Sequence, residues 1–536
     1  MSLIQTTDQL RADSPGALLP SAPNDSERLS YLDRNRPYLA GAIYTAALSM
    51  IFCQLGFEVF ASPWLFPVTI LLALQVVSAS VLMFAGSDFD VRQHQRVISV
   101  DGAYVWPTVD IFLPVSGEAL EVLRNTWEGV AGVVWAYPGV AAVHVLDDAA
   151  NPLAQEMARE FGFGYMVRDD RPRMRKSGNL NWTFARTQGE LILVFDADFR
   201  PRPDFLLETV PYFQDPGLGL LQTPQFFRNH RDRQTWVERA GNAVQEIFYR
   251  NVQPARDALK GSAVCCGTCA VYRRRALARN GGFTEFAYAE DEHTGLSVRE
   301  HGFTVKYIPI ILATGMSPGT VDAFVRQQYR WTSGTLSSIL RWPRDKGLRV
   351  FTAYASGLFY YLYSAAMVFT GPIVPLAMLI FWPQHVHLYN YFALAPALIA
   401  GFILYPLWHK EEFGPAVWPL AIVRSWAHLF AVWDWATRRT MQWQATGVGV
   451  SPVGRLWLGI AVWNGGTAVA WTSLAAYRAV QEDSARFALI GILGVFYGTL
   501  IVFIIASDEN PVRRAVASAC RPASRLRMRG RHRQGR

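Results

Sequence analysis

Six stretches of this 536-residue chain contain no Asp, Glu, Lys or Arg: Pro37–Phe57, Val59–Ser87, Val350–Gln384, Leu388–Trp408, Leu456–Tyr477 and Phe487–Ser507. Each reaches the roughly 20 apolar residues needed to cross a bilayer core. Acids are also missing from residues 513–536, where nine arginines stand. That tail accounts for the net charge of +8, so the charge is no sign of nucleic-acid binding. No aromatic-interleaved basic surface accompanies it, and a cytosolic topology signal in contact with membrane lipids is expected instead. Cysteine is scarce. Of Cys53, Cys265, Cys266, Cys269 and Cys520, Cys266 and Cys269 have C-x-x-C spacing, but no second Cys or His pair completes a zinc site. Reduced thiols in a cytosolic domain are expected.

What remains between the second and third apolar stretches, residues 88–349, is charged and mixed in pattern, enough for one globular domain. The expected organisation is a polar, mobile cytosolic N-terminus (1–36), two membrane helices (37–87), the globular domain (88–349) and two further spans (350–410). An amphipathic interface helix with a loop (411–454), two last spans (455–507) and a basic cytosolic tail (508–536) complete it. No signal-peptide cleavage site stands out before the first span. Arg34, Arg36, Arg92 and Arg96 flank the first pair of spans and place the globular domain in the cytosol. Val350–Gln384 is long for one crossing and short for two. One crossing gives six spans and puts the arginine tail on the cytosolic side. Trp418–Arg439 mixes Arg, His and Asp with apolar residues and is expected to lie on the membrane face, with Trp426, Trp433 and Trp435 at headgroup level.

Inside the globular domain, Val109–Val115, Ala142–Leu146 and Leu191–Phe195 read as buried strands. Helical patterns at Ala119–Trp127, Leu153–Phe161 and Asn179–Thr187 alternate with them, which predicts a mostly parallel sheet. Ligands bind beyond the carboxyl ends of such strands. Asp147-Asp148 and Asp196-Ala197-Asp198 both fall at that position. The second pair suits Mg²⁺ or Mn²⁺, which takes one or two protein carboxylates and completes its shell with phosphate and water; a capping turn is the plainer reading. Lys176-Ser177-Gly178-Asn179 follows Arg168, Arg171, Arg173 and Arg175. It reads equally as a phosphate-neutralising loop or as a solvated basic loop before a helix capped by Asn179. Asp291, in Glu290-Asp291, could act as a general base or cap a helix. His293 reads as structural. Gln327-Gln328-Tyr329-Arg330-Trp331, next to the third apolar stretch, offers a cation for a leaving diphosphate and an indole for a sugar ring.

In this order, these motifs resemble the membrane-embedded family 2 glycosyltransferases, especially bacterial cellulose synthases and their relatives. Gln222-Thr223-Pro224-Gln225 and Cys266-Gly267-Thr268 belong to the same set. The resemblance implies a GT-A-like α/β domain inserted in an α-helical transmembrane domain of about six spans. It implies that Asp147, Asp148, Lys176 and Asp196 contact a UDP-sugar, with Gln327, Arg330 and Thr446 also on the donor. Asp196 and Asp198 hold Mg²⁺ or Mn²⁺ in that scheme. Cys266, Gly267, Thr268 and Trp331 line the acceptor site, and Asp291, beside Glu290, is the catalytic base.

The implied activity is processive, inverting transfer from UDP-glucose or a related UDP-sugar to a growing β-glucan such as cellulose, which is moved across the plasma membrane. Non-processive glycosylation of a lipid is the alternative, and an accessory export subunit is left open. Departures from the family pattern are Ala289 where Thr is usual before Glu-Asp, Ala149-Ala150 after Asp148, and Ser116-Gly117-Glu118 at the first strand end. Trp443–Gly447 resembles the loop that gates the site. Too few residues follow Ser507 for the family's cyclic di-GMP-binding barrel, so regulation of that kind through this chain is not expected.

Overall fold

The computed structural model describes residues 19–53, 63, 66–228, 235–259, 262–286, 289–342, 347–411, 413–439, 453–482 and 484–507. The α/β domain is built on β1 (Val109–Val115), β2 (Ala141–Asp147), β3 (Gly164–Met166), β4 (Leu191–Val194), β5 (Phe199–Pro201), β6 (Leu218–Gln222), β7 (Phe226–Phe227), β8 (Ala270–Arg273), β9 (Thr304–Tyr307) and β10 (Ala313–Gly315). Seven of these form one sheet in the order β3-β2-β1-β4-β8-β6-β9. Only β8 runs against its neighbours, so the sheet is mostly parallel and GT-A-like. The remaining three strands, in the order β5-β10-β7, make a small second sheet.

β1 and β4 are almost wholly buried, which is why VDIFLPV and LILV read as continuous apolar runs and not as alternation. The register pairs Val115 with Asp147 and Phe112 with Val194, so β1, β2 and β4 end at one edge of the sheet. Helices Leu120–Ala136, Pro152–Glu160 and Arg175–Phe184 supply the crossovers. Asn179 is therefore inside a helix and is no cap; its amide donates to the Leu146 carbonyl (2.9 Å) and pins that helix to β2.

Among the described residues, four helices are long and apolar enough to cross a membrane: Phe66–Phe84, Leu348–Phe381, Asn390–Trp408 and Ala485–Ala506. The third apolar stretch forms one helix of 34 residues with Pro372 and Pro375 inside it. Arg36–Cys53 and the helical run through residues 453–481 are further helices that overlap the first and fifth apolar stretches.

Three expectations change. The N-terminal segment, expected to be mobile to residue 36, is packed from residue 19 onward. Asn125 donates to the Pro20 carbonyl, Arg202 holds Asp25, Arg228 pairs with Glu27, and Tyr31 is buried. Arg34, read as a membrane-flanking cation, is buried and donates to the carbonyls of Leu82 and Ala85 (2.7 Å each) and to Asn251 Oδ1 (2.8 Å). Trp426, expected at headgroup level, is buried with its indole donating to Asn464 (2.8 Å), whereas Trp433 and Trp435 are exposed. In each case a long-range polar partner overrides a local pattern.

A buried ionic hub joins the α/β domain to the apolar helices. Arg250 and Glu246 pair at 2.9 Å with both side chains fully buried. Arg250 also donates to the carbonyls of Asp33 and Trp408, and Glu246 accepts the main-chain N–H groups of Lys410 and Glu411. Trp408 closes the ring by donating to the Arg34 carbonyl (2.7 Å).

Candidate active site

The central cation of the site is Lys176. Its Nζ donates to Asp196 Oδ1 (2.5 Å) and to the Gly267 carbonyl (2.9 Å), so the helix after the basic loop, the end of β4 and the 265–269 loop meet at one atom. Burial would lower its pKa, but Asp196, Glu290 and Asp291 raise it well above the lysine range. Lys176 and Arg168 are thus drawn inward, while Arg171 and Arg173 between them are exposed. Gly178 is required there, because a Cβ would lie 2.3 Å from the Arg173 carbonyl oxygen and 2.6 Å from the Arg168 guanidinium.

Asp198 is pushed up to about 7 by burial and by Asp196 and Glu118, with Lys176 opposing. Glu118, at the end of β1, is itself raised by burial and by Asp196 and Asp147. The same strand-end rule that found the other acids would have found it. Among the described residues, no three His, Cys, Asp or Glu side chains are grouped as a ready-made metal cage. Two or three hard carboxylate oxygens that repel one another nonetheless fit a divalent cation that takes its other ligands from phosphate and water.

Asp147 and Asp148 turn out differently. Asp147 is fully buried; its Oδ1 accepts the Ala149 N–H (2.7 Å), and its Oδ2 accepts the Asn151 N–H (2.8 Å) and the Tyr165 hydroxyl (2.7 Å). Asp148 receives both arms of the buried Arg168 guanidinium (2.8 Å each). These carboxylates shape the loop beyond β2 and do not point as open acids into the cleft.

Glu290 and Asp291 begin the helix Glu290–Glu300, whose cap position is Ala289. Asp291 Oδ1 accepts the Glu292 N–H (2.9 Å). Burial, then Glu290, push its carboxyl well above the usual range, with Lys176 opposing. Ala289 suits the close approach of the next helix: a Cβ on Gly334 would lie 2.8 Å from its own. His293 is structural, as the sequence suggested. It sits between Ser337 (3.0 Å) and Arg341 (3.2 Å), and burial, with Arg341, lowers its pKa to about 4.

The Gln222-Thr223-Pro224-Gln225 motif has a legible task. Gln222 accepts the Cys266 N–H (2.8 Å) and donates to the Thr268 carbonyl (2.9 Å), while Gln225 donates to the Cys266 carbonyl (2.7 Å). The two amides hold the Cys266-Gly267-Thr268 loop from behind. Thr268 Oγ1 accepts the Asp196 N–H (2.8 Å), tying that loop to the end of β4. Cys265, Cys266 and Cys269 are free thiols; burial pushes Cys265 up to about 12 and the other two well above their ordinary value. Gly267 has φ +74°, and a Cβ there would lie 2.9 Å from Asp291 Oδ2. Gly267→Ala is therefore expected to displace Asp291 and slow transfer by about 10²-fold, the cost of an ångström-scale misplacement. A steady-state rate within about threefold of the parent would contradict that contact.

The helix Val321–Ser338 carries the Gln327–Trp331 motif. Gln327 is buried and accepts weakly from Gln245 (3.4 Å); Gln328 is buried with its Nε2 unpartnered; Trp331 is half-buried. Burial lowers the Arg330 pKa, and Asp196, Glu290, Asp291 and Asp198 oppose that fall, so the guanidinium lies in the field of the whole acid cluster. Thr446 lies outside the described residues, as does all of Trp443–Gly447. A separate cavity of about 880 Å³, lined by Arg96, Tyr104 and Lys306 among others, shares no residue with this cluster.

The site thus brings Lys176, Asp196, Asp198, Glu290, Asp291 and Arg330 together, with Gly267 and Thr268 at its wall. Residues 191–404, which contain most of it, match the family described as "Glycosyl transferase family group 2". The chain is 33% identical over 315 residues to a cellulose synthase catalytic subunit (UDP-forming) of Pseudomonas fluorescens, covering 57% of this chain and 41% of that protein. It is 36% identical over 234 residues to cellulose synthase 1 of Komagataeibacter xylinus, covering 43% of this chain and 15% of that one. The chain thus spans less than half the length of these relatives. Among solved structures, a mannosyltransferase from Pyrobaculum calidifontis in complex with GDP-Man and Mn²⁺ superposes with TM-score 0.44 at 18% identity, over 68% of this chain and 99% of that one. The ordered motifs, the strand-end acids and the sequence matches agree: residues 191–404 resemble a family 2 glycosyltransferase domain, and the chain is similar to bacterial cellulose synthases over about half its length.

Proposed function

We propose that this protein is a processive, inverting glycosyltransferase that adds hexose from UDP-glucose, or a related UDP-sugar, to a growing β-glucan and passes the polymer across the plasma membrane. The observation that supports this reading is the buried cluster in which Lys176 bonds to Asp196 and, with Arg330, lies in the field of Asp196, Asp198, Glu290 and Asp291. Cations for a diphosphate and a raised carboxylate for a hydroxyl proton stand side by side.

In this reading the acceptor hydroxyl is held by the Cys266-Gly267-Thr268 loop and Trp331. It gives its proton to Asp291 while its oxygen attacks the anomeric carbon from the face opposite UDP. The bond from that carbon to the diphosphate oxygen breaks, and UDP leaves with the electron pair. An α-linked donor yields a β-glycosidic bond. Lys176, Arg330 and Gln327 neutralise or orient the leaving diphosphate, with Thr446 as a further donor contact. The ends of β1 and β2, shaped by Asp147 and Asp148, house the nucleotide. Asp196 and Asp198 would hold Mg²⁺ or Mn²⁺, whose charge stabilises the departing diphosphate when bound. Six crossings, with the catalytic domain and both termini cytosolic, agree with the basic flanks, and membrane lipids and an accessory export subunit complete the expected surroundings.

The test is transfer by purified protein in nanodiscs from radiolabelled UDP-glucose, UDP-N-acetylglucosamine and GDP-mannose, with and without Mg²⁺ or Mn²⁺. Label from UDP-glucose in polymer, lost on chelation, is expected. Label confined to the lipid extract, or from GDP-mannose alone, would refute the assignment. A pH dependence follows as well. A base must be deprotonated to accept a proton, so with the Asp291 carboxyl raised to about 7, transfer falls as pH drops through that value and is full above it. A midpoint near the ordinary Asp value of about 4 in the kcat profile would remove Asp291 from this role.

A further inference from the structure

The helix Val321–Ser338 presents Tyr329 in the middle of its motif, and this side chain belongs to no part of the chemistry above. It is buried, and its hydroxyl donates to Asp434 Oδ2 at 2.9 Å. Asp434 is the one acid of the helix Val417–Ala436 and stands in its last turn. A negative charge there opposes the helix macrodipole and gains nothing locally. Its neighbours Trp433 and Trp435 are exposed while Asp434 is half-buried against the motif helix. An acid at the unfavourable end of a helix, aimed at one buried hydroxyl, indicates a directional contact between the two helices.

Apolar packing of Phe324 and Val325 with Leu420, Val423 and Ala427 brings these helices together. Such packing sets their separation, whereas a hydrogen bond also sets rotation. Consecutive residues on a helix are about 100° apart. Fixing Tyr329 toward Asp434 therefore fixes the direction in which Arg330 leaves the helix, toward Asp196, Glu290 and Asp291. We propose that Tyr329 and Asp434 are a positioning pair that sets the rotation of the motif helix, and with it the placement of Arg330 and Trp331 for sugar transfer. Neither residue touches the reacting atoms. The inference rests on the transfer function proposed above.

The test compares Y329F, D434A, D434N and the double variant Y329F/D434A with the parent in nanodiscs. It reads kcat, donor KM, UDP binding and the thermal midpoint. Each of Y329F and D434A is expected to lower kcat by about tenfold while donor KM and UDP affinity stay within about twofold. The double variant should be no slower than either single one, because both remove the same contact. D434N, whose amide oxygen still accepts from the hydroxyl, should stay within about threefold of the parent. A parent that transfers sugar while Y329F matches it overturns the positioning role alone. So do single effects that multiply, or a fall in kcat matched by equal losses of UDP affinity and thermal midpoint. A parent that transfers no sugar overturns the function and this inference with it.

Discussion

Replacing Asp291 by asparagine is expected to lower transfer by about 10²–10⁴-fold, the usual worth of a positioned general base, while UDP affinity stays nearly unchanged. The asparagine keeps the size of the side chain and its acceptance of the Glu292 N–H, so the start of its helix should hold. What it cannot do is take a proton. Because Asp291 raises the Lys176 pKa, the neutral variant leaves that lysine with Asp196 and Glu290 as its main stabilising acids, enough to keep it charged for the diphosphate. The discriminating pair of measurements is single-turnover transfer and UDP binding by calorimetry. Loss of rate with binding retained supports a base; loss of both would make Asp291 a donor-site residue instead.

The second large effect concerns stability. Glu246→Ala is expected to destabilise the protein by about 3–5 kcal/mol, since it strips a fully buried guanidinium of its charge partner. It also leaves the N–H groups of Lys410 and Glu411 without the carboxylate they now reach. Because Arg250 donates to Asp33 and Trp408 as well, the damage should spread to the seam between the α/β domain and the apolar helices. Arg124→Ala is the control: it breaks a largely exposed pair with Glu160 and should change stability by at most about 0.5 kcal/mol. Thermal aggregation of both variants in detergent would measure the difference. Equal midpoints for the two would show that the hub is no structural anchor.

Asp196 and Asp198 could be located because strand ends announce themselves: a buried apolar run followed by Asp fixes position without any knowledge of partners. The single helix at residues 348–381 was legible for a similar reason, since hydrophobic length is a local property. The hub was not. Arg34 meets Asn251, 217 residues away, and nothing in a local window tells a membrane-flanking arginine from one buried against carbonyls. The reading of Asn179 as a cap fails because an Asn near a helix start resembles a cap unless its amide is seen on Leu146. Asp147 and Asp148 were located correctly as strand-end acids, but Tyr165 and Arg168, which turn their oxygens inward, lie some twenty residues further along the chain.

The most direct test of the central claim is the fate of label from UDP-glucose given to the purified protein in nanodiscs with Mg²⁺ or Mn²⁺. Ethanol-insoluble label released by a β-1,4-glucanase, and absent with Asp291→Asn, is the predicted result. Label recovered only in the organic phase, or polymer formed equally well without the Asp291 carboxylate, would contradict it.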